Sequence, residues 1–176
     1  MAIQLHNRRC GMARQDETLE VALRQLTLTE QHIKGLLSLS RKDETPAASG
    51  SLPDLLNDID RLMRPHALHA HVSFDVVFDL PKSVVIPDVE QFRTASLNLA
   101  LNAIEAAGKD GDVLIESKAS CNAITITFSD SGAGPPDQLA ETLFDPFVTS
   151  KPEGVGLGLA LAKRVAVENH GQLTWQ

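Results

Sequence analysis

Apolar positions alternate between helical and strand rhythms along the chain. Leu19, Leu23, Leu26, Ile33 and Leu37 share one helical seam with Glu30, in a stretch from Asp16 to Arg41 that contains no proline. That rhythm predicts one long amphipathic helix. Its other side carries Glu20, Arg24, Thr27, Gln31 and Lys34, so the seam is expected to pack in a bundle or a dimer. An ordinary helix lying on the next domain is the alternative. Asp43 to Gly50 is small, polar and interrupted by Pro46, which reads as a linker and divides the chain near residue 45. Ser51 and Pro53 then supply an N-cap and an early-helix proline for a helix from about Leu52 to Ala67.

Val72, Phe74, Val76 and Phe78 alternate with mostly polar neighbours and predict a strand with one buried face. Pro87 introduces a helix from about Val89 to Ala107, which Gly108 ends. Two strands follow, Asp112 to Ser117 and Ala123 to Asp130, joined by a short turn. Gly132 to Gly154 is proline-rich and irregular, a loop long enough to suggest a functional lid. A last helix is expected over about Gly156 to Asn169, and Gln172 to Gln176 reads as the beginning of a strand.

The 176 residues carry 16 Lys+Arg against 23 Asp+Glu, a formal charge of −7. An acidic chain offers no basic footprint for nucleic acid or for an anionic membrane surface, so neither is an expected partner. With 43% hydrophobic and 22% charged residues the composition is that of a globular protein. Cys10 and Cys121 are far apart in sequence, without CxxC spacing, which points to reduced thiols in a cytoplasmic setting. No apolar run approaches the roughly 18 to 20 residues that span a bilayer. The chain is expected to be soluble, although its parent protein could be membrane-anchored.

Three groups of residues could carry chemistry. Asp130 shares the parity of Ile124, Ile126 and Phe128, which aims its carboxylate from the apolar face of the strand inward. A buried anion needs a partner, and an acceptor beside the small residues Ser131 to Gly134 suits the exocyclic amino group of adenine. A strand-ending Asp that caps the next turn is the alternative. Asn98, Asn102 and Glu105 fall on one face of the predicted helix Val89 to Ala107. Their oxygens suit Mg2+, which commonly takes only one or two protein ligands beside phosphates and water. A solvated polar stripe would look the same. Gly154, Gly156 and Gly158 cost a helix about 1 kcal/mol each in its interior, yet at a helix start they expose backbone N–H groups to phosphate. Lys151, just upstream, could add a positive charge; a flexible turn is the alternative.

These patterns occur in a fixed order: N-x-x-x-N-A-x-E-A from Asn98 to Ala106, D-S-G-A-G from Asp130 to Gly134, L-F-D-P-F-V-T-S-K from Leu143 to Lys151, and G-V-G-L-G-L-A-L from Gly154 to Leu161. In that order the sequence from about residue 50 to 176 resembles the ATP-binding catalytic domain of sensor histidine kinases, in the GHKL superfamily. The resemblance implies an α+β fold, a two-layer α/β sandwich whose mixed sheet is covered by helices on one face, over residues 46–176. It also implies that residues 1–45 are part of a dimerisation and phosphoacceptor helical hairpin, truncated on its first helix. ATP would lie under a mobile lid, Asn102 would serve Mg2+ and phosphate, and Asn98 the neighbouring polar position. Asp130 would take the adenine amino group, with Gly132 and Gly134 in the same pocket. Phe144 and Phe147 would anchor the lid, Thr149 and Lys151 would sit near the phosphates, and Gly154, Gly156, Leu157 and Gly158 would form the phosphate-facing loop.

The implied function is transfer of the ATP γ-phosphoryl group to a histidine and onward to a response regulator receiver domain, within a homodimer formed through helix 16–41. Asn98, Asn102 and Lys151 would serve the transfer. Where ATP-hydrolysing relatives have an acidic general base, this chain has Asn98, and an amide cannot accept a proton from water at neutral pH. His170-Gly171 is followed by Gln172 where the family often has a second glycine, and the family's final strands are not present after Gln176. No H-E-x-x-N-P motif occurs. His6 would lie beside the interhelical turn, so the phosphoacceptor is expected upstream. His66, His69 and His71 could share a metal ion but have no added Cys or carboxylate. A serine-directed anti-sigma kinase of the same superfamily and a non-catalytic ATP-binding dimerisation module are the alternatives.

Self-association through residues 16–41 can be measured by sedimentation. Leu26→Glu and Ile33→Glu are expected to convert a dimer into monomer. A dimer indifferent to both changes would exclude the seam as its interface.

Overall fold

The computed structural model describes residues 48–120, 123–151 and 154–176. The expected helix 16–41, the linker core around Pro46, His6 and both cysteines lie outside the described residues.

After a two-residue strand β1 (Gly50–Ser51), helix α1 runs over Leu52–Ala70. Ser51 caps it, its Oγ accepting the Asp54 N–H at 3.3 Å, and Pro53 occupies the first turn, where a missing N–H costs nothing. Leu52, Leu55, Leu56, Ile59, Met63 and Ala67 make its buried stripe. The helix runs three residues past the expected Ala67 and ends at His71, whose φ of 56° is left-handed. His71 N–H donates to Leu68 C=O (3.2 Å) and Val72 N–H to Ala67 C=O (2.9 Å), closing a Schellman cap without glycine.

Strand β2 (Ser73–Asp79) leads through the short β3 (Val85–Ile86), which pairs antiparallel with β1, into helix α2 (Val89–Ala107). Asp88 caps α2 by accepting the Gln91 N–H at 3.0 Å, and Gly108, at φ 67°, ends it. Strands β4 (Asp112–Ala119) and β5 (Ile124–Asp130) follow, then a 3-10 turn at Asp137–Leu139 and helix α3 (Gly158–Glu168). Among the described residues the main sheet has the order β2-β4-β5, with β2 parallel to β4 and β5 antiparallel to it. It is therefore mixed, as expected.

One face of the sheet is apolar. Phe74, Val113 and Ile115 are buried there under α1 and α2, with Val76, Phe78, Ile126 and Phe128 half-buried beside them. The alternate positions Asp75, Val77, Asp79, Thr125, Thr127 and Ser129 are exposed on the other face. Among the described residues, helices thus cover one side only. A second small core joins α2 to α3 through Ala95, Leu161, Ala162 and Val165. Arg93 of α2 reaches Asp58 of α1 at 3.0 Å, a partly exposed ion pair that contributes at most about 1 kcal/mol, so apolar burial sets the helix packing.

Gln172–Gln176 is not a strand, contrary to the expectation. Leu173 packs against the α2–α3 core instead, which holds this segment on the helix side. Among the described residues no helix is long and apolar enough to cross a membrane.

Ile115 is fully buried while Val77 is 57% exposed on the opposite sheet face. Urea unfolding of Ile115→Ala should show a loss of about 2–5 kcal/mol. Val77→Ala should stay within about 0.5 kcal/mol of the wild type.

Candidate functional site

Helix α2 has two apolar sides. Ala100, Ala103 and Ile104 belong to the main core, and Ala95 belongs to the core shared with α3. Asn98, Asn102 and Glu105 are left on the remaining stripe, the two amides half-buried and Glu105 exposed. Asn98 Nδ2 donates to Thr94 C=O at 3.0 Å. Its Oδ1 lies toward the start of α3, where a Cβ on Gly158 would stand 3.3 Å from it. Glycine there lets the two helices approach at the amide.

No side chain caps the N-terminus of α3, and its first turn holds no acidic residue. Its orphan N–H groups and positive dipole end are therefore open to an anion. Leu157 precedes the helix with its side chain buried, so only its main chain can face a ligand. Gly156 has φ +70°, and a Cβ on it would meet Val148 O at 2.5 Å. Phe147 N–H donates to Gly156 C=O at 3.0 Å, so the segment before the lid's end is stitched to the glycine loop. Phe147 itself is left-handed (φ 69°) and 64% exposed, whereas Phe144 is half-buried with Lys163 Nζ 5.7 Å from its ring centroid. Thr149 Oγ1 accepts the Lys151 N–H at 3.1 Å, and Gly154 lies against that hydroxyl.

Lys151 crosses to α2. Its Nζ donates to Asn102 Oδ1 at 2.8 Å and pairs with the Glu105 carboxylate. Helix α2 carries no basic residue in its own last turn, so this lysine brings a cation close to the negative end of the helix. Glu105 is the residue whose importance the sequence pattern understated. Its position three residues after Asn102 was the available signal.

Asp130 ends β5 beside the other end of the cleft. Its parity is the expected one, opposite the buried Val113, but Asp130 itself is exposed. Asp130 Oδ1 accepts the Gly132 N–H at 2.9 Å, the turn-capping arrangement. Gly132 lies so close to the C-terminal end of α2 that a Cβ would stand 2.4 Å from Ala106 O. Ser131 continues the ladder with Asp112 through both N–H and Oγ. Gly134 (φ +75°) lies against Trp175. The structure thus groups Asn102 with Lys151 and Glu105, Asn98 with Gly158, and Asp130 with Gly132, all along or at the end of α2. His66, His69 and His71 do not gather: among the described residues no three His, Cys, Asp or Glu side chains form a metal-holding group.

Residues 87–176 match the family described as histidine kinase-, DNA gyrase B-, and HSP90-like ATPase. Over 158 residues the chain is 30% identical to the signal transduction histidine-protein kinase AtoS of Escherichia coli (strain K12), a span of 89% of this chain and 26% of that protein. The chain spans about a quarter to a third of the length of the curated relatives it matches. Among solved structures, the catalytic domain of histidine kinase ThkA superposes with a TM-score of 0.62 at 26% identity, over 69% of this chain and 80% of that one. Histidine kinase ThkA in complex with response regulator protein TrrA has the same fold, with a TM-score of 0.71 at 22% identity over 97% of this chain and 49% of that one.

Gly156→Ala must accept both a left-handed backbone and a clash with Val148 O. Backbone conformation alone should cost about 1–2 kcal/mol. Because the glycine loop is stitched to Phe147, faster proteolysis within 147–157 is the expected readout, ahead of any global unfolding.

Proposed function

Since the chain belongs to the histidine kinase-, DNA gyrase B-, and HSP90-like ATPase family, whose ATP-binding fold it shares, we propose that residues 46–176 are the catalytic domain of a sensor histidine kinase. In this reading it transfers the γ-phosphoryl group of ATP to a histidine of a dimerisation hairpin that includes residues 1–45, for onward transfer to a response regulator receiver domain. The observation that carries it is one stripe of α2 on which Asn102 meets Lys151 while Asn98 lies against Gly158 at the uncapped start of α3.

Each residue then has a physical task. The N–H groups at the start of α3 bind phosphate oxygens, and Gly154, Gly156 and Gly158 let the polyphosphate approach the main chain. Lys151, with Thr149 behind its backbone, contributes the mobile positive charge. Asn102 Oδ1 already accepts an ammonium, and a hard neutral oxygen of that kind also fits Mg2+. Magnesium, when bound, neutralises phosphate charge. Asp130 keeps Gly132 N–H on one oxygen and offers the other to the adenine amino group, with Gly134 in the adjoining wall. Phe144 and Phe147 anchor the later part of the lid segment, Phe147 through its main-chain bond to Gly156.

Asn98 explains why the acceptor is a histidine and not water. Its amide cannot act as general base, so water is not activated, whereas an imidazole brings its own nucleophilic nitrogen. Phosphoryl transfer then depends on positioning and charge stabilisation. The domain supplies both for the donor side only, which suits a substrate presented by another domain.

Calorimetric titration with Mg-ATP tests the site. Asn102→Ala, and Asp130→Asn, which keeps an acceptor for Gly132 N–H while reversing the group offered to adenine, should each weaken binding roughly 10- to 100-fold, the range of a charge-assisted hydrogen bond. Unchanged affinity in both would reject the assignment. Labelled phosphate should pass from γ-labelled ATP to a supplied phosphoacceptor hairpin in an acid-labile form.

A further inference from the structure

Glu105 has no task in the reading above, yet it pairs with Lys151 beside Asn102. Its carboxylate and Asn102 Oδ1 share the Lys151 ammonium, joining α2 to a loop 46 residues further along the chain. The amide oxygen is neutral and could not by itself hold a solvated lysine in place. Glu105 supplies the charge. The consequence is a conflict over one atom: Asn102 Oδ1, the acceptor assigned to the metal, is occupied by an ammonium 2.8 Å away. A divalent cation and an ammonium on the same oxygen repel strongly at that range.

We propose that Glu105 is a tether: in the nucleotide-free protein it docks the Lys151 segment on α2, and Mg-ATP must draw the lysine off it to bind. The proposal rests on the nucleotide reading of this cleft. Carboxylate and polyphosphate compete for the same cation, and the polyphosphate wins because it brings more charge and more acceptor oxygens to it. The tether is weak by construction. Lys151 and Glu105 side chains are 43% and 59% exposed, and exposed pairs are worth little. Removing it should therefore improve apparent affinity by no more than about fivefold, the population of the undocked state setting the limit. Salt should erase the difference, since at about 1 M the screening length falls to roughly 3 Å.

Hydrogen exchange and calorimetry on the full chain, wild type against Glu105→Gln, test the proposal. Without nucleotide, amides 148–151 should exchange faster in the variant; with saturating Mg-ATP the two proteins should match. Mg-ATP should bind the variant about two- to fivefold more tightly at low salt and equally at high salt. Identical exchange in the nucleotide-free proteins would overturn the tether. Weaker binding by the variant would overturn it too, by making Glu105 part of the bound site. Faster exchange in the variant, together with a wild type that binds no Mg-ATP, would support the docking contact and overturn the nucleotide reading instead.

Discussion

Everything in the cleft depends on α2 being apolar on two sides. Ala100, Ala103 and Ile104 face the sheet and α1, while Ala95 faces α3. Small residues dominate these contacts, so the helix sits close to its neighbours and its backbone position is tightly set. What remains is one narrow polar stripe, which Asn98, Asn102 and Glu105 occupy. A position fixed by core packing is a better platform for ligand atoms than a loop, because their placement is inherited from contacts unrelated to the ligand. The partly exposed Arg93–Asp58 pair can adjust that placement but is too weak to determine it.

The loop works from the opposite principle. Between β5 and α3 it has little regular structure, and among the described residues its ties include Asp130 to Gly132 N–H at its start, Phe147 N–H to Gly156 C=O near its end, and Lys151 to α2 between them. Backbone conformations open mainly to glycine, at Gly134 and Gly156, mark the places where it turns. A segment held at a handful of points can rearrange by exchanging one of them without disturbing the core.

Legibility in the sequence followed the strength of the local signal. Helix α2 matched its expected bounds at both ends, because Pro87 and Gly108 are strong punctuation. The end of α1 was misjudged because its left-handed cap is a histidine, His71, and nothing in composition marks that residue for positive φ. Parity placed Asp130 on the correct face, yet periodicity does not fix how deeply each position on that face is buried, so its exposure was not readable. The Gln172–Gln176 segment alternated like a strand, but pairing is a tertiary property, and the seat offered by the α2–α3 core to Leu173 prevailed. The order of motifs put Lys151 in one group with Asn102, and the two do meet. Glu105 was on the same stripe in the sequence, but its pairing with Lys151 was not readable because a charge on a helix stripe ordinarily belongs to solvent.

The parallel pairing of β2 with β4 has a kinetic corollary. Ser73 opposes Asp112, so this contact closes a chain segment of roughly forty residues with α2 inside it, whereas β4 and β5 close over a short turn. Local pairings form before distant ones. The β4–β5 hairpin is thus the early piece, and α2 gains its full sheet-side cover only when β2 arrives with α1. On a ribosome the order of emergence reverses this, since α1 and β2 leave the exit tunnel while their sheet partner is still being made. For that interval the stripe of Leu52, Leu55, Leu56 and Ile59 has no sheet to bury it, and nascent chains at this stage are natural clients for a chaperone that binds apolar helices.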